Sequence, residues 1–226
     1  MEPAVRHRLQ QWTSDFYRHH AASFDESRSG SWDSWDTVLG QLGLFESLLD
    51  VGCGNGRFAS FLDAHRVSVS YLGIDGEPAF IHAANTRHPQ HSFFLQDLYE
   101  PFTVDPFDVV VCFGVMHHIP GASERLAFLH RLAATVNSGG SLALSFWQPR
   151  LLKNFDAKVS PVHDTKDLEE NDFLLGWKGG FEHVRYCHHF DDAEVEDLCI
   201  ASGLHVKHHF QGSGNDITNR YVILSK

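Results

Sequence analysis

The stretch Leu48–Arg57, LLDVGCGNGR, decides how the rest of the chain reads. Leu48, Leu49 and Val51 have buried-strand character, and the run closes on Asp50 and three alternating glycines, Gly52, Gly54 and Gly56. Glycine there permits backbone geometry and a close ligand approach that a Cβ would block. The string predicts a strand that stops at a nucleotide-binding turn, with Asp50 at the strand's carboxyl end, where open α/β sheets bind ligands. Gly54, Gly56 and Ala59 also satisfy the dinucleotide pattern G-x-G-x-x-A, which alone is weak evidence. A tight strand-to-helix turn with no ligand is the plainer alternative.

Two more acids follow at strand ends. An apolar run closes on Gly73-Ile74-Asp75, whose carboxylate is placed to accept both ribose hydroxyls of a nucleoside. Glu77 competes for that role, or serves as a first-turn acid of the next helix. A third run, His91 to Gln96, ends in Asp97-Leu98. Taken singly, Asp97 reads as a loop or cap residue. As the third acid at a third strand end, it joins the site.

The D-x-G-x-G-x-G string with this series resembles the class I S-adenosylmethionine-dependent methyltransferases. The resemblance implies a Rossmann-like α/β fold with a seven-stranded, mostly parallel sheet whose last strand is antiparallel. It implies S-adenosyl-L-methionine as cofactor, held by Tyr17, Asp50, Gly52, Gly54, Asn55, Gly56, Asp75, Gly76, Asp97, Leu98 and Phe113. In that reading Asp97 meets the adenine amino group and Leu98 lies beside the ring.

Residues 3 to 43 read as helical material with a loop through 25–30. Strands are then expected at 45–51, 67–74, 91–96 and 107–113, with helices at 56–64 and 77–87 between them. SERLAFLHRLAATV carries Leu126, Leu129, Leu132 and Ala133 at helical spacing, and an Asn137–Gly140 turn leads to a fifth strand, SLALSFW. Alternating strands and helices imply a parallel sheet with right-handed crossovers. From 148 to 190 the rhythm breaks. This insertion, with six Lys/Arg and seven Asp/Glu, is no basic arm and is expected to act as a lid over the acceptor site. A helix capped by Asp191 or Asp192 and strands at 204–210 and 220–224 close the chain.

Composition agrees with this reading. The 226 residues, 42% hydrophobic and 21% charged, fit one α/β domain, 1–226, with a helical cap at 1–44 and the lid at 148–190. No run is long enough to span a membrane and the N-terminus lacks a signal peptide's apolar core, so a soluble, cytoplasmic protein is expected. The four cysteines form no C-x-x-C and the four His-His pairs no evident chelate, so no metal is expected. A net charge of −11 is awkward for nucleic-acid binding, which draws on Lys and Arg.

A narrower resemblance rests on FYRHHAASFDESRSGSWDSW, CFGVMHHIPGASERLAFLHRL, FLLGWKGG, RYCHHFDDAEVEDL and NRYVIL. Together these look like the tRNA wobble-uridine carboxymethyl methyltransferases, which esterify a carboxymethyl group on C5 of the wobble uridine. Matching residues are Tyr17, Arg28, His117, Trp177, Arg185-Tyr186 and Asn219-Arg220; the family has an aromatic where Arg220 stands here. The resemblance implies tRNA as partner and, in eukaryotic members, a small activator protein. A carboxylate is already an anion at neutral pH and needs placement more than a base. Arginine's planar fork can place it, so Arg28, Arg185 and Arg220 are candidates, with His117 beyond the fourth strand facing the same crevice. For a hydroxyl or amine acceptor on a small molecule, His117 or His118 could act as general base. A cofactor-binding regulator without activity and a dinucleotide-dependent oxidoreductase are the readings from other classes.

Overall fold

A computed structural model describes residues 1–27 and 30–226. The chain begins with the long helix α1 (Pro3–Glu26) and the short α2 (Trp35–Leu42). Strands and helices then alternate through β1 (Ser47–Val51), α3 (Arg57–Ala64), β2 (Ser70–Asp75), α4 (Pro78–Arg87), β3 (Ser92–Leu95), β4 (Phe107–Cys112), α5 (Ala122–Ala134) and β5 (Val136–Trp147). The hairpin β6 (Asp172–Trp177) and β7 (Gly180–His188) follows, and α6 (Asp192–Ala201), β8 (His205–Gln211) and β9 (Asn219–Ser225) complete the fold.

Seven strands form one sheet in the order β3-β2-β1-β4-β5-β9-β8. The first five pair in parallel, and β9 runs antiparallel to both β5 and β8, as the sequence predicts. Side chains alternate across a strand, and the sheet is covered on both faces. Leu49, Val51, Val110 and Cys112 point to one face, where Phe128, Leu129 and Leu132 of α5 and Leu198 of α6 cover them. Leu48, Val109 and Val111 point to the other, against Trp35 and Val38 of α2 and Phe58, Phe61 and Leu62 of α3.

One expectation is corrected. Asn137–Gly140 is no turn between elements: β5 starts at Val136 and runs on, and the four residues form a bulge as the β4–β5 register shifts between Phe107 and Val109. Asp108 stabilises the bulge, its Oδ1 accepting from Asn137 Nδ2 at 3.0 Å while Oδ2 accepts from the backbone N–H groups of Glu46 and Ser47. The 148–190 segment also contains strand: β6 and β7 form a two-stranded sheet outside the main one. Leu174, Val184 and Tyr186 of this hairpin bury against Leu9 of α1, giving the hairpin and the first helix a shared apolar cluster. No helix among the described residues is long and apolar enough to cross a membrane.

Phe128 is fully buried where α5 meets the sheet. Phe128→Ala should cost about 3–5 kcal/mol in denaturant unfolding, the range for emptying a packed aromatic site. A loss under about 1 kcal/mol would show that α5 does not close this layer.

Candidate active site

The carboxyl ends of β1, β2, β3 and β4 open into a crevice of about 1020 Å³, walled by glycine-turn residues, Asp75, Asp97, Phe113, Tyr17 of α1, and Arg185 of β7. The turn is held from β2: Gly52 N–H and Cys53 N–H both donate to Ile74 C=O, at 2.8 and 3.1 Å, and Gly54 N–H donates to Asp75 Oδ2 at 2.9 Å. Gly52 takes φ +79°, and a Cβ there would collide with Val115. Gly54, at φ +54°, has open space where a Cβ would stand, so its backbone faces the crevice bare.

Asp75 Oδ1 accepts from Glu77 N–H at 2.9 Å. The carboxylate thus links the glycine turn to the start of α4 and still has lone pairs for a ligand. Glu77 is spent as the N-cap of α4, accepting from Ala79 N–H. Asp97 also lines the crevice, exposed, with Oδ1 accepting from Tyr99 N–H, so the cap reading and the ligand reading both fit it. Gly76, Leu98 and Phe113 are in the wall.

Asn55 lines the crevice as expected, but Asp50 lies otherwise. Asp50 shares its strand face with Leu48, so it points into the aromatic layer of α2 and α3 and does not line the large crevice. Its carboxylate accepts from Tyr71 OH at 2.5 Å and borders a cavity of about 30 Å³ behind the turn, beside Gly52 and Arg57. Asn55 reaches back to α1, its Nδ2 donating to Asp25 Oδ1 at 2.5 Å, and Arg87 of α4 holds both oxygens of the same carboxylate. The sequence reading missed Asp25; an acid at the end of a helix carries no signal of a partner 62 residues away. Gly56 turns the chain into α3 at φ +84°.

Burial pushes Asp50 up to about 7, against the pull of the Tyr71 hydroxyl, and Asp75 up to about 6, against the backbone N–H groups of Glu77 and Gly54. Both fall well above the ordinary carboxylate value of 3.8.

The opposite wall is built from α1, the hairpin and the ends of β5 and β9. Arg185 is 7% exposed, its guanidinium 4.6 Å from the Phe16 ring, 5.6 Å from Phe24, 5.7 Å from Trp177 and 6.0 Å from Trp147. Its Nε and Nη1 meet no hydrogen-bond partner, and no carboxylate pairs with it, among the described residues. The neighbouring Cys187 supplies no counter-charge, since burial pushes its thiol up to about 11, although Arg185 draws it down. His117 lines the crevice with its ring 4.8 Å from Trp147. His118 is braced on both sides. Its Nδ1 lies 2.7 Å from Tyr186 C=O, which can only accept, so Nδ1 carries the proton and Nε2 accepts from Tyr17 OH at 2.7 Å.

Arg220 turns away from the crevice. It follows Asn219, which lines the wall, and so points to the other face of β9, where Nη2 meets His209 Nδ1 at 2.6 Å. That answers the family's aromatic at this place with a surface residue. Arg28, the third arginine, lies outside the described residues.

Residues 49–142 match the model of a methyltransferase domain. Over 93% of both chains, the protein is 26% identical to a putative methyltransferase of Encephalitozoon cuniculi. It is 22% identical to the tRNA (carboxymethyluridine(34)-5-O)-methyltransferase of Saccharomyces cerevisiae over 61% of this chain and 48% of that one. The structure of an S-adenosylmethionine-dependent methyltransferase from Methanosarcina mazei superposes with a TM-score of 0.70, at 22% identity, over 84% of this chain and 96% of the other. A methyltransferase domain thus spans residues 49–142, on a fold shared with an S-adenosylmethionine-dependent methyltransferase. The glycine turn, with its bare Gly54 backbone and the Asp75 carboxyl beside it, fits a cofactor that is cationic at sulfur and at its amino group.

Asp75, the raised carboxyl that lines the crevice, takes up a proton that a bound cation expels. Affinity for S-adenosylmethionine should therefore rise with pH up to about pH 7 and then level off, with proton release largest at or just below about pH 6. Titration calorimetry in buffers of different ionisation heat reads this directly, and a flat profile would sink the assignment. Asp75→Ala should weaken binding by about 1–3 kcal/mol, the scale of charge-assisted hydrogen bonds.

Proposed function

We propose that the protein esterifies the carboxylate of a carboxymethyl-type wobble uridine in tRNA. The observation that carries this reading is Arg185. A buried guanidinium without a counter-ion is costly, and the cost is recovered when an anion reaches it. The planar fork suits a carboxylate, which can take two parallel hydrogen bonds from it. Phe24 and Trp147 flank that position in the crevice wall and offer faces against which a planar base can stack. The likeness to the yeast tRNA enzyme supports the same acceptor.

S-adenosylmethionine supplies an electrophilic methyl group on its sulfonium. The chain's part is then to exclude water and to aim the acceptor oxygen, which needs no proton removed. Asp75, Asp97 and the glycine turn would hold the cofactor, Tyr17 would close over it from α1, and Arg185 and His117 would touch the acceptor. The small activator implied by the resemblance would find an open strand edge at β3, where Phe94 and Leu95 are exposed. A small carboxylic acid is the second reading, since it brings no phosphate backbone against the net charge of −11.

Methyl transfer to a synthetic anticodon stem-loop carrying 5-carboxymethyluridine, beside the unmodified loop and a panel of small carboxylic acids, separates these readings. Arg185→Ala should lose about a hundredfold or more in turnover while cofactor affinity stays within about twofold, and Arg185→Lys should recover little, since it keeps the charge and loses the fork. Transfer only to small acids would move the acceptor. Loss of cofactor binding in step with turnover would remove Arg185 from the acceptor side.

A further inference from the structure

Behind the hairpin, away from the crevice, four charged groups lie together, three of them buried and Glu194 half-buried. His188, 2% exposed, sits between two carboxylates: Nδ1 is 2.7 Å from Asp172 Oδ1 and Nε2 is 2.6 Å from Glu194 Oε2. Arg125 of α5, 3% exposed, donates from Nε to Glu194 Oε1 at 3.1 Å and from Nη1 to Tyr186 OH at 3.2 Å, while Tyr186 OH donates to Asp172 Oδ1 at 2.5 Å. Glu169 stands at the outer rim, 3.8 Å from Arg125 Nη2. A neutral imidazole has one N–H to give, whereas two carboxylate oxygens at these distances call for two. With His188 charged, two anions face two cations and the cluster is neutral. Without that proton, one buried carboxylate faces a ring lone pair.

The cluster's position on β7 gives it a second consequence. Tyr186 and His188 lie on the strand face that enters this cluster, and Arg185 lies on the face that turns to the crevice. Asp172 is also the cross-strand partner of His188 in the β6–β7 ladder, so the cluster pins the hairpin's register. A slip of one residue would exchange the two faces and carry Arg185 out of the site.

Resting on the acceptor role given to Arg185 above, we propose that protonated His188 is a positioning group that holds the β6–β7 hairpin in the register presenting Arg185 to the methyl acceptor. Burial alone would press the His188 pKa down. The hydrogen bonds to Asp172 and Glu194 outweigh it, despite the opposing charge of Arg125, and leave it raised above 6.5. A group with a raised folded value contributes fully below the unfolded value and loses its contribution as pH climbs through the folded one. Of the other groups facing the ring, Glu194 is drawn down by His188 and Arg125 against its burial, and Tyr186 is raised by burial and stays neutral. The alkaline loss therefore belongs to His188.

Hydrogen exchange of the amides of residues 172–188, expressed as protection factors between about pH 6 and 10, tests this without any acceptor. Wild-type protection should fall in one step with a midpoint above 6.5. Glu194→Gln keeps an oxygen acceptor and removes the charge, so its midpoint should move down by about one to two pH units, the worth of one charge-assisted hydrogen bond. His188→Gln should lack the step. Cofactor affinity should follow the same pH profile in wild type and Glu194→Gln. An unmoved midpoint in Glu194→Gln, a step that survives in His188→Gln, or a cofactor profile that shifts with the hairpin would each overturn the inference. If the hairpin behaves as described but the wild type transfers no methyl to the carboxymethyluridine stem-loop, the register role stands and the acceptor reading fails.

Discussion

Parallel pairing of β1 with both β2 and β4 is the constraint on which the rest of the structure hangs. It sets Val51 beside Ile74 and Asp50 beside Val111, and β2 in turn sets Asp75 beside Leu95, so successive strands end at one edge of the sheet. The backbone turns that leave this edge cannot all satisfy themselves, and Asp75 resolves part of the deficit by accepting from Gly54 and Glu77. The same carboxylate thereby closes the turn, starts a helix and holds negative charge at the crevice. Its raised pKa is the cost of doing this among buried neighbours.

The second wall of the crevice arises from a different device. Nothing in the sheet alone makes the second wall; α1 and the hairpin make it together, sharing one apolar cluster at Leu9, Leu174, Val184 and Tyr186. The far end of α1 is tied to the cofactor side by Asp25, which joins Asn55 in the glycine turn to Arg87 in α4. One helix therefore carries Tyr17 and Phe24 between both halves of the crevice.

The repeating part of the fold was legible because periodicity and glycine turns are local signals. That three strand ends meet at one edge was readable too, since three apolar runs each close on an acid; the order of the strands was not. Asp50 shows where the pattern stops informing: alternation places it on the helix-covered face, and only the Tyr71 hydroxyl, packed across from the next strand, explains how a carboxyl is tolerated there. Asn137–Gly140 has turn composition, yet Asp108 on the neighbouring strand satisfies Asn137 and turns the segment into a bulge. Arg220 was a candidate because an arginine fork suits a carboxylate, but adjacent residues of a strand part to opposite faces and Asn219 takes the crevice side. Arg125 was within reach of a closer reading. It falls in register with Phe128, Leu129 and Leu132 on the buried stripe of α5, and a charge on that stripe calls for buried partners.

The acidity of the chain narrows how any RNA acceptor could be recognised. With 18 basic against 29 acidic residues, phosphate neutralisation has little to draw on, and an affinity built along the backbone would be opposed by the protein's own field. Recognition has to be concentrated where the chain has spent energy in advance. On the proposed acceptor reading that place is Arg185, desolvated among four aromatic rings with two guanidinium nitrogens unsatisfied among the described residues. An acceptor with a planar ring and an attached carboxylate meets the rings and the charge at once, whereas an unmodified base meets only the rings and leaves the buried cation unpaired. The unpaired cation is then a penalty against the wrong base as much as an attraction for the right one, and selectivity follows from the same desolvation that makes the site costly to build.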